Sequence, residues 1–179
     1  MKIRWNATLN FLIFLAVLLV VAGFQTTLWF QFFGNAAPAP LLWLNLIVYM
    51  TLYRKPYPAI FTIYAMGAIL LIFTAMPLKM MLFSLLILFV LVYGIKSRVF
   101  WSGSGYYTIM CGFSAVAYHL IYFCLSMVLE KNPASFEFVD RLVQMILTPV
   151  FALPMYWVLA KIDKVTTDEF VHEPGGFDL

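Results

Sequence analysis

Long apolar runs, punctuated by short charged or proline-containing breaks, organise this chain. No Asp, Glu, Lys or Arg occurs between Arg4 and Arg54, and charge-free stretches recur over residues 56–78, 80–95, 99–129 and 142–160. The hydrocarbon core of a bilayer is about 30 Å thick and takes about 20 apolar residues in a helix. The segments FLIFLAVLLVV (residues 11–21) and LFSLLILFVLV (82–92) are apolar on every face. A transmembrane β-barrel strand would instead alternate apolar and polar positions. Helices also satisfy their backbone groups within the segment, as lipid demands. The pattern therefore predicts an all-α, polytopic integral membrane protein.

Six transmembrane helices are expected, over residues 7–33, 41–53, 58–76, 77–95, 105–129 and 138–160. The first is longer than the core, so it tilts or ends in an interfacial stretch that suits Trp29 and Gln31. It is broken by the run from Asn35 to Pro40. The second is only about 20 Å long, which requires shielding by neighbours or an irregular start. Arg54, Lys55 and Pro56 close it, Pro77 serves as a first-turn proline of the fourth span, and Pro149 and Pro154 kink the last. Residues 165–179, acidic and polar, form a flexible cytoplasmic tail.

Composition agrees: 64% of residues are hydrophobic and 11% charged, against roughly a quarter charged in soluble domains. The distribution of charge adds orientation. With six spans, Lys2, Arg4, Arg54, Lys55, Lys96, Arg98, Lys161 and Lys164 fall on one side, and only Lys79, Lys131 and Arg141 on the other. The positive-inside rule places both termini in the cytoplasm, and the chain is read as an inner-membrane protein. The basic N-terminus is read as leading into an uncleaved first helix, because the apolar run is too long for a signal peptide. The pI of about 8.9 reflects loop cations suited to anionic lipid, not nucleic acid.

Candidate chemistry is sparse. Cys111 and Cys124 lie about 20 Å apart on one helix, too far to bridge and too few for a metal framework. Gly105, Thr108, Gly112, Ala115, His119, Tyr122 and Ser126, followed by Glu130, recur every three or four residues and share one helical stripe. Small and hydroxyl-bearing residues let membrane helices approach and hydrogen-bond, so the stripe is a helix-packing or partner surface. His119 is the one strongly ionisable residue near the middle of a span. The simpler reading is a neutral imidazole hydrogen-bonded to a neighbouring helix; the other is a functional group. Asn45 is polar at depth and expected to bond internally, and Lys79 reaches the headgroups along its stem. There is no triad, metalloprotease motif, P-loop or paired carboxylate in a span, and no buried charge pair is expected. The inventory points away from an enzyme and calls for no cofactor or metal.

Residues 66–100, MGAILLIFTAMPLKMMLFSLLILFVLVYGIKSRVF, resemble the centre of the MreD family of rod shape-determining membrane proteins. PLLWLNLIVY (40–49) looks like that family's proline-led second helix, and RLVQMILTP (141–149) followed by Lys161 is similar to its last. Two positions depart from the pattern: Leu71 stands where many members carry an Asp, and the turn reads Ala75-Met-Pro-Leu-Lys79 instead of small-x-x-Leu-Gly. The resemblance implies a non-catalytic scaffold subunit of the elongasome that coordinates lateral peptidoglycan synthesis and cell shape. Its partners would be the bitopic protein MreC and, indirectly, MreB, RodA and its transpeptidase, with homodimerisation left open. MreD proteins are similar in fold to substrate-binding subunits of energy-coupling-factor vitamin transporters, which supply the alternative function. Against it, Ala16 and Ala22 do not make the Ala-x-x-x-Ala docking pattern of those subunits.

Overall fold

A computed structural model describes residues 2–34, 37–99, 101, 103–130 and 137–166. Among them there are helices and connecting turns but no strand. The helices are α1 (Lys2–Gly23), a π-helical turn (Phe24–Leu28), α2 (Trp29–Phe33), α3 (Leu42–Tyr53), α4 (Pro56–Leu70), α5 (Leu78–Lys96), α6 (Ser104–Leu129) and α7 (Phe138–Thr166). Four of the helical stretches are long and apolar enough to cross a membrane: Thr8–Phe33, Leu78–Lys96, Ser104–Leu129 and Phe138–Thr166. The helices Leu42–Tyr53 and Pro56–Leu70 are apolar but shorter.

The shortest of these helical bodies occupies the centre. Every residue of α3 from Leu42 to Leu52 is buried. Around it α4, α5, α6, α7 and α1 pack in sequence, and α1 closes the ring against α4. A helix apolar all round lies in a protein core or in lipid, and around α3 neighbouring helices do the enclosing. The outer helices show the reverse, with Val20, Phe61, Val90, Ile109 and Val150 exposed on their outward faces. So extensive an apolar surface fits lipid rather than water.

Hydrogen bonds show which ends meet. Lys96 Nζ donates to the carbonyls of Thr51 (3.1 Å) and Arg54 (3.2 Å), satisfying carbonyl groups at the C-terminal end of α3. The Tyr53 hydroxyl lies 3.5 Å from the Gly103 carbonyl. The end of α3, the end of α5 and the start of α6 therefore share one end of the bundle. At the opposite end, the extended lead into α3 is held by side chains. Trp29 Nε1 donates to Ala37 O (3.0 Å), Gln144 Nε2 to Ala39 O (3.1 Å), and Leu41 N–H to Thr148 Oγ1 (3.0 Å). Irregular backbone at membrane depth survives only where protein groups satisfy it.

Several boundaries differ from the sequence reading. The helix expected over 58–76 is α4, which begins at Pro56 and ends at Leu70. Bonds from Ile72 N–H to Ile69 O and from Phe73 N–H to Leu70 O close its last turn, and Pro77 holds the chain before it extended. Pro77 itself is the N-cap of α5, with φ −60° and ψ 140°, one position before the first turn. The helix expected to stop at residue 160 continues to Thr166 and takes in Val165, the first residue assigned to the tail. The rest of that tail lies outside the described residues, as do Asn35 and Ala36 of the break and Lys131. Helix α7 runs unbroken through Pro149 and Pro154. The long first helix is interrupted by the π-turn, where Thr26 Oγ1 bonds back to Ala22 O at 2.8 Å.

Candidate functional site

Two polar arrangements stand out in an otherwise apolar bundle. The first is the face of α6 carrying the expected stripe. Ala115, His119 and Ser126 are buried, and Thr108, Gly112 and Tyr122 are half-buried, while Gly105 is exposed. The stripe thus turns inward over most of its length but not at Gly105, where a Cβ would meet nothing within 4 Å. Gly112 faces α7: a Cβ there would lie 3.6 Å from the Pro149 ring carbons. Further along, the Arg141 guanidinium carbon sits 5.9 Å from the Tyr122 ring centroid, and Ser126 Oγ donates to Glu130 Oε2. Among the described residues the Thr108 hydroxyl bonds within its own helix, to Ser104 O at 2.9 Å.

A 3.6 Å separation is ordinary van der Waals contact, so alanine fits at position 112 and leucine does not. Gly112→Leu is expected to cost about 1–3 kcal/mol through overpacking. Gly112→Ala and Ile109→Leu, the latter at a position 67% exposed, should melt with the parent protein. Thermal unfolding in detergent separates these outcomes, and equal tolerance of leucine at both sites would mean the seam does not pack.

His119 departs from the simpler reading of the sequence. It is 2% exposed, and among the described residues its Nε2 has no hydrogen-bond partner. The expected bond to a neighbouring helix is therefore missing at that atom. An unpaired buried polar atom gains nothing in place, and an apolar group of similar size is close to neutral there. His119→Leu should stay within about 1 kcal/mol of the parent in stability. A much larger loss would mean that the imidazole holds a partner in the assembled state. Asn45 is better served: Nδ2 donates to Thr148 O (3.1 Å) and the backbone carbonyl accepts from the Tyr107 hydroxyl (2.8 Å), although Oδ1 has no partner among the described residues. These bonds join α3, α6 and α7 beside Pro149.

The second arrangement was not anticipated, and it overturns the expectation of no buried charge pair. Arg54, at the end of α3, pairs with Asp163 of α7, with side chains only 16% and 11% exposed. Asp163 Oδ2 accepts from the Tyr49 hydroxyl at 2.8 Å, and Oδ1 from Asn10 Nδ2 at 3.2 Å as well as from Arg54. Asn10 Oδ1 in turn accepts from Arg54 at 2.9 Å, and its amide also donates to Thr166 Oγ1. Phe14 lies beneath the guanidinium, 5.7 Å from its carbon to the ring centroid. Each charged group has a complementary partner, which is the condition under which burying charge is tolerable. The clasp ties α1, α3 and α7 at the end shared with Lys96. A signal for it exists in the sequence: Thr148, Ala152, Leu159, Asp163 and Thr166 keep helical spacing, so the inward face of α7 continues past residue 160.

Behind the clasp, Tyr49, Tyr53, Tyr107 and Tyr156 fill the space between α3, α6 and α7. Neighbouring ring centroids there are 4.8–6.0 Å apart. Cys111 is buried and Cys124 exposed, both free. Among the described residues, no cluster of three or more His, Cys, Asp or Glu could hold a metal. Lys79 is exposed at the first turn of α5, and Leu71, where the resembled family often carries an acid, is half-buried at the end of α4.

No known family model, curated protein or solved structure matches this chain.

Proposed function

We propose that this protein is a non-catalytic membrane scaffold. It would bind a bitopic, MreC-like partner and coordinate lateral wall synthesis by the bacterial elongation machinery. The observation that carries the reading is the enclosure of α3. The centre of the ring is taken up by its side chains and by the tyrosine cluster, so recognition falls to the outward helix faces. Such faces associate by packing and hydrogen bonding spread over many residues. The resemblance of residues 40–49, 66–100 and 141–149 to MreD supplies the biological role.

The same reading gives six membrane traverses in the inner membrane with both termini cytoplasmic. It is supported by the shared end of α3, α5, α6 and α7, where Arg54, Lys96 and Lys164 also lie. Reporter fusions after Ser97 and Lys164 should read cytoplasmic, and fusions near Pro38 and Glu130 periplasmic. A cytoplasmic signal at Glu130 would remove the six-traverse topology.

The vitamin-binder alternative keeps one observation in its favour. Ser84 Oγ, Ser114 Oγ and Asn45 Oδ1, like His119 Nε2, are buried without partners among the described residues, and a polar ligand would satisfy such atoms. Two experiments separate the readings. Co-expressed with an MreC-like protein, the chain should co-elute with it in detergent. It should also show no saturable thermal shift with thiamine, riboflavin or biotin, since a ligand binding only the folded state raises Tm. A saturable vitamin shift without partner binding would replace the scaffold by the transporter subunit.

A further inference from the structure

On the outward side of α5 and α6 lies a groove of about 500 Å³, lined by residues that include Phe83, Ile87, Leu120, Cys124, Leu125 and Val128. We propose that this groove is a binding seat for one acyl chain of an anionic phospholipid, whose phosphate is held by Lys79.

Three observations select this occupant. The first is length. Along α6 the lining extends from Leu120 to Leu129, about 14 Å at the helical rise, close to half the thickness of the hydrocarbon core. A transmembrane partner helix would use the full thickness; a chain of one leaflet uses half. The second is texture. Membrane helices dock through small residues that let backbones approach. The α6 face toward α7 has them, in Gly112 and Ala115, whereas the groove is walled by Phe, Ile, Leu and Val with Cys124 as the smallest member. The third is charge. Lys79, Phe83 and Ile87 are spaced by four on α5 and so lie along one side of that helix. Lys79 is in the first turn of α5, one helical turn before the lining residue Phe83, and it is exposed. Among the described residues no carboxylate pairs with it; the ion pair found there joins Arg54 to Asp163. A lysine at the membrane surface carries its stem along the apolar wall and its ammonium to headgroup level. Apolar groove and free cation together match a diacyl lipid with an anionic head.

The seat rests on the membrane-spanning reading but not on the identity of any protein partner. With six traverses it faces the outer leaflet. Its test uses the purified full-length protein, stripped of lipid by detergent exchange. Native mass spectrometry would follow binding from an equimolar mixture of phosphatidylglycerol and phosphatidylcholine with matched chains. A single lysine near an anionic surface is worth about 1 kcal/mol, so phosphatidylglycerol should be retained about fivefold over phosphatidylcholine. Lys79→Gln should bring the ratio close to one with unchanged Tm. Cys124→Trp, or Val128→Trp if the first variant does not fold, should reduce binding of both lipids by filling the groove. Glycerol phosphate without chains should not bind. A ratio near one in the parent protein, or a preference that survives Lys79→Gln, overturns the proposal. So would efficient oxidative cross-linking through Cys124 to a second copy or another protein in native membranes, because protein would then occupy the groove.

Discussion

Asp163→Leu is expected to be among the most damaging single substitutions in this chain. It leaves the largely buried Arg54 guanidinium with its carboxylate removed, takes the acceptor from the Tyr49 hydroxyl, and leaves the Asn10 amide with Thr166 Oγ1 but without Asp163. Breaking a buried ion pair from one side costs about 3–5 kcal/mol. At about 2–4 °C per kcal/mol for a chain of this size, Tm should fall by on the order of 10 °C. The double variant Arg54→Met with Asp163→Leu removes both charges and should recover most of the loss, because an apolar pair of similar volume is close to neutral. Thermal unfolding of the parent, the two single variants and the double variant closes the cycle. A double variant no better than Asp163→Leu would mean that packing at α7, not charge burial, sets the cost.

Gly67→Leu should be nearly as damaging, for a steric reason. A Cβ at Gly67 would lie 2.6 Å from Leu85 Cδ1, where α4 and α5 meet. That atom is the far end of a flexible side chain, so alanine can be accommodated by a rotation of Leu85. The helix propensity of alanine over glycine, about 1 kcal/mol, offsets part of that shift. Leucine has no such exit and should cost about 3 kcal/mol, the upper part of the range for overpacked cores. Trimming the obstacle with Leu85→Ala in the Gly67→Leu background should restore stability relative to the Gly67→Leu single variant, a coupling that a double-mutant cycle detects. Additive losses would place the clash elsewhere.

How much of this was legible depends on what lipid does to a sequence. Apolar runs and their proline and charge breaks located the helical stretches among the described residues, but not all of their ends or the π-turn that divides the first; lipid tolerates no irregular backbone that protein leaves unsatisfied. The facing of those helices was mostly hidden. An apolar residue suits lipid and a protein interior equally, so Leu44 and Val48 of the enclosed α3 read no differently from the exposed Val20 and Val90. Only small and polar positions break that degeneracy. They did so on α6, where Ala115, His119 and Ser126 turn inward. Gly67 carries the same signal, in phase with the buried Ile63 and Leu70. The clasp is hidden because charge ordinarily marks the end of a span. Asp163 is charged and yet buried, since Arg54, from 109 positions earlier in the chain, supplies its counter-ion. No local pattern contains that pairing.

The central claim, that this bundle acts through a partner to organise wall growth along the cell cylinder, is tested most directly by depletion. The gene product would be withdrawn from a rod-shaped host and cell width followed by microscopy. The account predicts progressive widening and rounding, reversed by re-expression of the parent chain. Cells that keep their width and rod shape after full depletion would contradict it.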